Sequence, residues 1–456
     1  MLLVPFIDAL SAALPPGRIV LDADVIGAYA RDQAAWAPAG TPVALVKPQD
    51  AEQVRAVVAA CAEHGVPIVP RGAGTGLSGG ANAVDGCVLL ALDGMDRILE
   101  IDPAEQLAVV QPGVINDHLR AAAAGHGLWY PPDPASSPWS TIGGNTATNA
   151  GGVCCVKYGV TRDYVLGMKV VTGRGELITL GRRTRKGVAG YDLAGLFVGS
   201  EGTLGVITEI TVRLLRLPAA PPKTVVGAFD SLVAAGEGVA AVARAGITPS
   251  ALELVDRYCL RAVDDWKNMG LADLGDVLLL GRIDTGDESE AAALQACFDA
   301  AGAVFSTRST DAEEAEALFA ARRLAYPALE RLGPVLTEDV CVPRGLVPEM
   351  LARIEAHAKA HDVHIANIAH AGDGNLHPLI VVPAGDEEAR ERAQQAFESI
   401  LDDAVALGGT VTGEHGVGLL KKRGMRAELG EDVLALHRAI KSALDPAGIF
   451  NPGKVI

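Results

Sequence analysis

Val43-Ala-Leu-Val46, a span from Asp50 to Gly65, and Val66-Pro-Ile-Val69 lead into Pro70-Arg-Gly-Ala-Gly-Thr-Gly-Leu-Ser-Gly-Gly-Ala81, and the reading of this stretch decides the fold. Residues 43–46 are a short apolar run of strand type. Asp50 is placed to cap a helix in which Val54, Val57, Val58 and Cys61 recur at three- and four-residue spacing, and Gly65 closes it. Residues 66–69 read as strand again, and residues 88–92 as another, so the period is β-α-β. The intervening loop contains Gly-x-Gly-x-x-Gly at Gly74, Gly76 and Gly79. A dinucleotide fingerprint of that form needs a helix directly after the glycines, to aim its N-terminus at pyrophosphate. Here Gly79-Gly-Ala-Asn-Ala-Val-Asp-Gly86 follows, which is turn material, and no Gly-Lys-Ser/Thr makes a Walker loop. Two readings remain: a nest of backbone N–H groups around an anion, and a flexible surface turn.

Two further segments have the same character. Residues 131–152, PPDPASSPWSTIGGNTATNAGG, begin with rigid prolines and continue with glycine and small polar residues, and are read as a loop able to lie against a large ligand. Residues 199–208, GSEGTLGVIT, read as a tight turn entering a strand that ends at 214. Glycine is concentrated accordingly: residues 70–81, 143–152, 195–205, 370–378 and 408–418 hold 20 of the 52 glycines in 53 positions. LPAAPPK, residues 217–223, is a proline-rich joint. Beyond it, strands such as 277–283 alternate with alanine-rich helices such as 288–301 and 311–324. The expected division is 1–218, 219–430 and a returning segment 431–456. The apolar N-terminus, with Asp8 interrupting it and no basic start, reads as an amphipathic helix and not a signal peptide.

The formal charge of −17 disfavours nucleic acid and anionic lipid as partners, and 4% aromatics disfavour base stacking. The seven cysteines include no C-x-x-C pair, so zinc-ribbon and iron–sulfur spacing is lacking, and a reducing cytoplasm is expected. No apolar run approaches 18 residues.

His370-Ala-Gly-Asp-Gly-Asn-Leu-His377 reads as a hairpin about Asp373-Gly374, a favoured two-residue turn. That register pairs Gly372 with Asn375, Ala371 with Leu376 and His370 with His377, and directly opposed residues share a face with Cβ atoms about 5 Å apart. Two imidazoles so placed can converge on one cation; equally, both can be hydrogen-bonded structural groups. Glu414-His415, within Thr412-Gly-Glu-His-Gly-Val-Gly418, reads alone as a polar turn.

Six segments in this order, PRGAGTGLSGGA, PPDPASSPWSTIGGNTATNAGG, GLFVGSEGTLGVITEITVRL, HAGDGNLHP, TGEHGVGLLKK and DPAGIFNPGK, closely resemble those of the FAD-linked 2-hydroxyacid dehydrogenases. That group includes D-lactate dehydrogenase, the FAD subunit of glycolate oxidase and D-2-hydroxyglutarate dehydrogenase. The resemblance runs from about residue 43 to 454. It implies an α+β fold of the vanillyl-alcohol-oxidase type: an FAD-binding domain of two α+β subdomains, and a cap domain with an antiparallel sheet and helices.

Carried over by position, Pro70, Arg71, Gly72, Ala73, Gly74, Thr75, Gly76 and Ser78 belong to the loop around the FAD pyrophosphate. Pro132, Asp133, Ser137, Gly143, Gly144, Asn145 and Thr148 line the ring and ribityl side. Gly202, Thr203, Gly205, Val206 and Ile207 take the adenine end, and Asn451 of the last motif joins the cofactor set. Some relatives tether FAD through a histidine in the first loop; Thr75 stands at the comparable position, so the flavin is expected to be non-covalent. The resemblance makes His370, His377 and Glu414 ligands of a divalent metal, zinc or manganese. It makes His415 the base that takes the hydroxyl proton, a role that suits a side chain titrating near neutrality. Arg322, Asn375 and Tyr326 fall to the substrate. Arg322 can also be read as a solvated helix charge, with Arg323 its neighbour.

The implied reaction takes a D-2-hydroxy acid to the 2-oxo acid, with hydride to flavin N5. Electrons then pass to an external acceptor: quinone, cytochrome, electron-transfer flavoprotein or partner subunits. The resemblance is compatible with a homodimer and with a cytoplasmic protein peripheral to the inner face of the membrane. Where the 2-hydroxyglutarate enzymes carry a threonine and a lysine that help hold a second carboxylate, this chain has Tyr326 and Thr337, which favours lactate or glycolate. The alternatives are D-2-hydroxyglutarate oxidation, a non-catalytic flavin subunit that relays electrons, and an alkyl-transfer enzyme on the same scaffold. Residues 182–186, RRTRK, read as a solvated loop or as a guide for an acidic electron acceptor.

Overall fold

The computed structural model describes residues 3–309 and 311–456. It divides into two compact units: one holds the described residues up to Gly151, Val160–Leu217 and Glu414–Ile456; the other holds Gly152–Gly159 and Pro218–Gly413. One break falls at Leu217/Pro218, inside the proline-rich joint. The chain crosses back at 413/414 and not at 430/431, so Glu414 and His415 belong to the first unit. Residues 152–159 belong to the second.

In the first unit the strands Ala44–Val46 and Ile68–Arg71 both pair in parallel with Val88–Ala91, which lies between them. The helix Ala51–His64 connects the first two, and the Asp50 carboxylate caps it, accepting the Gln53 N–H at 2.8 Å. Parallel strands covered on both faces must be apolar throughout, and residues 44–46 and 88–91 are all buried. Val54, Val57, Val58 and Cys61 share this core with Phe6 and Leu10 of the N-terminal helix Leu3–Ala13, so the apolar start of the chain is a core element.

A second, antiparallel sheet runs in the order Ile98–Asp102, Leu107–Val110, Val206–Arg213, Val165–Val171, Leu177–Gly181. Its core gathers Tyr130, Tyr164, Phe197, Ile210 and Val212. Residues 131–152, read from sequence as a loop, contain the helix Ile142–Thr148. Two glycines disfavour it by propensity. Thr141 caps it through the Gly144 N–H at 3.1 Å, Ile142 is buried, and Thr146 and Thr148 return their hydroxyls to the carbonyls of Ile142 and Gly144.

The second unit is one antiparallel sheet in the order Phe305–Ser309, Lys223–Phe229, Val277–Ile283, Ala251–Asp256, Ile365–His370, Asn375–Val381, Val335–Thr337, with Val340–Cys341 also pairing Asn375–Val381. The helices Arg257–Lys267 and Ala312–Glu330 pack on one face, where Leu260, Val263, Ala321, Ala325, Ala328 and Leu329 meet Val255, Leu278, Ile368 and Leu379. The second of these helices passes its expected end at 324 and runs through Pro327. Proline removes one backbone hydrogen bond, but the buried Ala325, Ala328 and Leu329 hold the helix to the sheet. Both units mix helices and sheets, so the α+β class stands. No helix among the described residues is long and apolar enough to cross a membrane.

Candidate flavin and metal sites

The three glycine-rich segments of the first unit converge. The Pro70–Arg71 end of a parallel strand opens the first loop. A Cβ on Gly72 would collide with the Thr141 hydroxyl, so the first loop and the cap of helix Ile142–Thr148 touch only because residue 72 has no side chain. The Gly199 and Glu201 N–H groups donate to the carbonyls of Thr146 and Ala147, at 3.0 and 2.8 Å, which brings the third turn to the same helix. From outside, residues 31–37 brace the loop. Arg71 Nη2 donates to the Arg31 carbonyl at 2.8 Å, Gln33 N–H to the Gly76 carbonyl at 2.9 Å, and the half-buried Asp32 carboxylate accepts the N–H groups of Ala34 and Ala81.

At the mouth of the loop the other guanidinium nitrogen, Arg71 Nη1, is buried without a hydrogen-bond partner. A buried cationic donor left unmatched is costly, and a pyrophosphate oxygen is the group that would satisfy it. The cradle therefore fits a dinucleotide.

Several expected cofactor residues spend their side chains inside the protein. Ser78 Oγ donates to the Gly416 carbonyl at 2.8 Å. Asn145 donates to Asn116, which in turn donates to the Pro132 carbonyl at 3.0 Å. Asn451 Nδ2 donates to the carbonyls of Gly80 and Glu201, at 2.8 and 2.7 Å, and its oxygen accepts Lys454 Nζ at 2.9 Å. These three shape the cradle. Asn116, Asp32 and Glu201 are additional to the residues singled out from sequence. In the same unit Glu414 and His415 are nearly buried, with His415 Nε2 3.4 Å from Glu414 Oε1.

The second unit holds the histidine pair, with a register different from the expected one. His370 lies opposite Asn375, and Ile368 opposite His377. A two-residue turn is prevented because the Gly372 N–H is drawn to the Leu252 carbonyl, and the Gly374 carbonyl accepts the Val342 N–H, each at 3.0 Å. The turn therefore spans residues 371–374. This moves each pairing by two residues, and an even shift leaves side chains on their original face. His370 and His377 are thus diagonal neighbours on one face, with ring centroids 5.2 Å apart.

Next along that face, Glu253 of strand Ala251–Asp256 is paired directly with His370. Its Oε1 is 2.8 Å from His370 Nδ1 and its Oε2 is 2.8 Å from Arg322 Nε, with the Glu253 side chain fully enclosed. A carboxylate on Nδ1 fixes the tautomer and orients the His370 ring. Arg322 is buried, whereas Arg323 is outside, paired with Glu316 at 2.6 Å; this excludes the solvated reading of Arg322.

Asp339 lies 3.7 Å from His377 Nδ1, accepts Asn375 Nδ2 at 2.8 Å and Thr412 Oγ1 at 2.7 Å, and its carbonyl accepts the N–H of Gly413, the last residue of this unit. Asn375 also donates to the Val340 carbonyl at 3.2 Å, so its amide nitrogen is shared between Asp339 and Val340 and its oxygen is the atom suited to a substrate hydroxyl. Two imidazoles backed by enclosed carboxylates fit a divalent cation. Burial pushes the Tyr326 phenol up, with the Thr337 hydroxyl beside it. The two positions that depart from the 2-hydroxyglutarate pattern are therefore neighbours.

Glu253 and Asp339 were legible in principle. An acid inside the apolar strand sequence Ala-Leu-Glu-Leu-Val is expensive to bury unless paired, and Thr-Glu-Asp-Val repeats that signal. In the basic run, Arg183 pairs with Glu100 and Arg185 with Gln106 on an exposed loop. Burial pushes the thiols of Cys61 and Cys341 up to about 12 and that of Cys87 to about 11, away from the reactive thiolate form.

Residues 42–181 match the family described as FAD binding domain, and residues 220–455 match FAD linked oxidases, C-terminal domain. The chain is 42% identical over 419 residues to glycolate oxidase subunit GlcD of Bacillus subtilis, covering 91% of this chain and 89% of that one. It is 34% identical over 473 aligned positions to D-2-hydroxyglutarate dehydrogenase of Stutzerimonas stutzeri, covering 98% of each. Among solved structures it is similar to p-cresol methylhydroxylase with substrate bound, at a TM-score of 0.83 and 20% identity over 100% of this chain and 96% of that one. The fold is of the vanillyl-alcohol-oxidase type.

Proposed function

Because the chain belongs to the family of FAD-linked oxidases, we propose that it oxidises a D-2-hydroxy acid, lactate or glycolate foremost, to the 2-oxo acid, with FAD and a divalent cation as cofactors. The observation that carries this reading is the enclosed Glu253, which orients His370 with one oxygen and Arg322 with the other. His370, His377 and Glu414 would hold the cation. The first loop, helix Ile142–Thr148 and the turn 199–205 would hold FAD. When bound, the cation supplies Lewis acidity toward the substrate hydroxyl and FAD accepts the two electrons of the Cα–H bond.

The protein's own residues do the rest. Arg322 has its Nε on Glu253, so the remaining guanidinium nitrogens offer a fixed edge to the substrate carboxylate. The Asn375 oxygen accepts from the hydroxyl, and His415 takes its proton. Tyr326 and Thr337 occupy the positions that would serve a second carboxylate, which supports a monocarboxylate. The likeness to the Stutzerimonas enzyme supports the other reading, D-2-hydroxyglutarate, and the same experiment separates them. Electrons then leave to an external acceptor; the relative's being a subunit of glycolate oxidase favours partner subunits for that role.

Anaerobic titration of the purified flavoprotein with D- and L-lactate, glycolate and D-2-hydroxyglutarate should bleach the flavin with D-lactate or glycolate at the lowest concentration. Preferential bleaching by D-2-hydroxyglutarate would shift the substrate, and bleaching by none would end the dehydrogenase reading. With Thr75 in place of a tethering histidine, acid precipitation should leave the yellow colour in the supernatant; colour in the pellet would mean a covalent flavin.

A further inference from the structure

We propose that Glu201 is a positioning residue: it clamps the segment carrying His415 to the flavin-binding loops, so that the base is set in place by the cofactor's own cradle. The inference rests on His415 as the base in the reading above. Glu201 sits in the third turn with φ +49°, a left-handed conformation that a side-chain-bearing residue adopts only when its surroundings enforce it. Four backbone and side-chain bonds do so. Its N–H goes to the Ala147 carbonyl and its carbonyl accepts Asn451 Nδ2. Its two carboxylate oxygens separately accept the N–H groups of Val417 at 2.7 Å and Gly418 at 2.9 Å, two and three residues after His415.

The fit is close. A Cβ on Gly416 would stand 2.9 Å from Glu201 Oε1, so only glycine lets the segment approach. From the other side Ser78, in the first loop, donates its hydroxyl to the carbonyls of Gly416 and His415, at 2.8 and 3.2 Å, and its own carbonyl accepts the Leu419 N–H at 2.8 Å. Lys454 closes the cluster, its ammonium held by the carbonyls of Gly80 and Asn82 and by Asn451 Oδ1. Residues 415–419 are thus gripped between two segments proposed to hold FAD. A buried carboxylate is a costly way to hold a loop unless the loop's position matters. A catalytic side chain must be held to about 0.5 Å to be productive.

The test compares wild type, Glu201→Gln and Ser78→Ala as flavin-loaded proteins. Glutamine keeps one acceptor and points an N–H₂ at the second backbone N–H. Backbone hydrogen exchange in the peptide spanning 412–421 should speed up about ten-fold in Glu201→Gln, the loss of one such bond, while exchange in the Lys223–Phe229 and Val277–Ile283 strands is unchanged. Flavin reduction by the best hydroxy acid should slow at least ten-fold with KM within three-fold of wild type. Ser78→Ala, which removes the opposite grip, should show the same pattern more weakly, and it serves if Glu201→Gln fails to fold. Unchanged exchange over 412–421, or acceleration everywhere alike, overturns the proposal. Exchange needs no substrate, so its result stands apart from the hydroxyacid reading, whose failure would appear as a wild-type flavin that no hydroxy acid reduces.

Discussion

His415→Ala is expected to keep its flavin and to lose reduction by D-lactate or glycolate by about 10²- to 10⁴-fold, the usual contribution of a positioned base. The fall should appear in the rate of flavin bleaching in anaerobic stopped flow, with the visible spectrum of the oxidised protein unchanged. His415 lies in the first unit, and among the described residues its segment is fastened by backbone bonds and by Ser78 and Glu201. Removing the imidazole leaves that framework standing, so cofactor content should be preserved. A small base added to the medium, imidazole itself, should restore part of the rate as it fills the vacated space. Normal turnover by the alanine variant would remove His415 from the mechanism.

Stripping divalent metal should have an effect of similar size. Dialysis against a chelator should abolish bleaching by hydroxy acids and leave the flavin in place, because the residues proposed to hold FAD do not include His370 or His377. Zinc or manganese returned to the wild type should restore reduction, and the more effective ion identifies the metal. His370→Ala and His377→Ala should not be restored. Glu253→Gln is the more discriminating variant. It keeps the shape of the side chain but weakens the hold on His370 Nδ1 and leaves Arg322 buried without its counter-charge.

A carboxylate behind a metal-binding histidine is worth about 10- to 100-fold in metal affinity, and breaking a buried ion pair from one side costs about 3–5 kcal/mol. Metal content by atomic emission should fall and thermal unfolding should move down together. A variant with full metal content and wild-type stability would show that Glu253 supports neither.

The positions of these groups show how far a sequence can be read. Asp50, Val54, Val57, Val58, Cys61 and the strands around them follow from period and capping alone, because a helix with one buried stripe and a strand with none exposed leave those marks in the order of residues. The first loop could be taken away from the dinucleotide fold by the turn residues after Gly79, which is local chemistry. The helix Ile142–Thr148 was hidden, since its glycines argue against it and its support comes from Thr141 and the buried Ile142.

The histidine pair divides the same way. Placing His370 and His377 on one strand face needed only the parity of their spacing, which survives a two-residue change of register. Which residues oppose them was decided by distant partners, the Leu252 carbonyl and the Val342 N–H, that compete for the turn's backbone groups.

What the order of residues determined by itself was therefore the class of fold, the glycine-rich cradle and the kinds of side chain available for chemistry. Only the tertiary structure decided that Glu253 backs His370 and holds Arg322, that Asp339 gathers Asn375 and Thr412, and that Glu201 grips the His415 segment. The physical reason is that a buried carboxylate is tolerated only when donors meet it. Those donors come from segments up to 217 residues away in the chain, as Glu201 and Gly418 do, where no local pattern records the pairing.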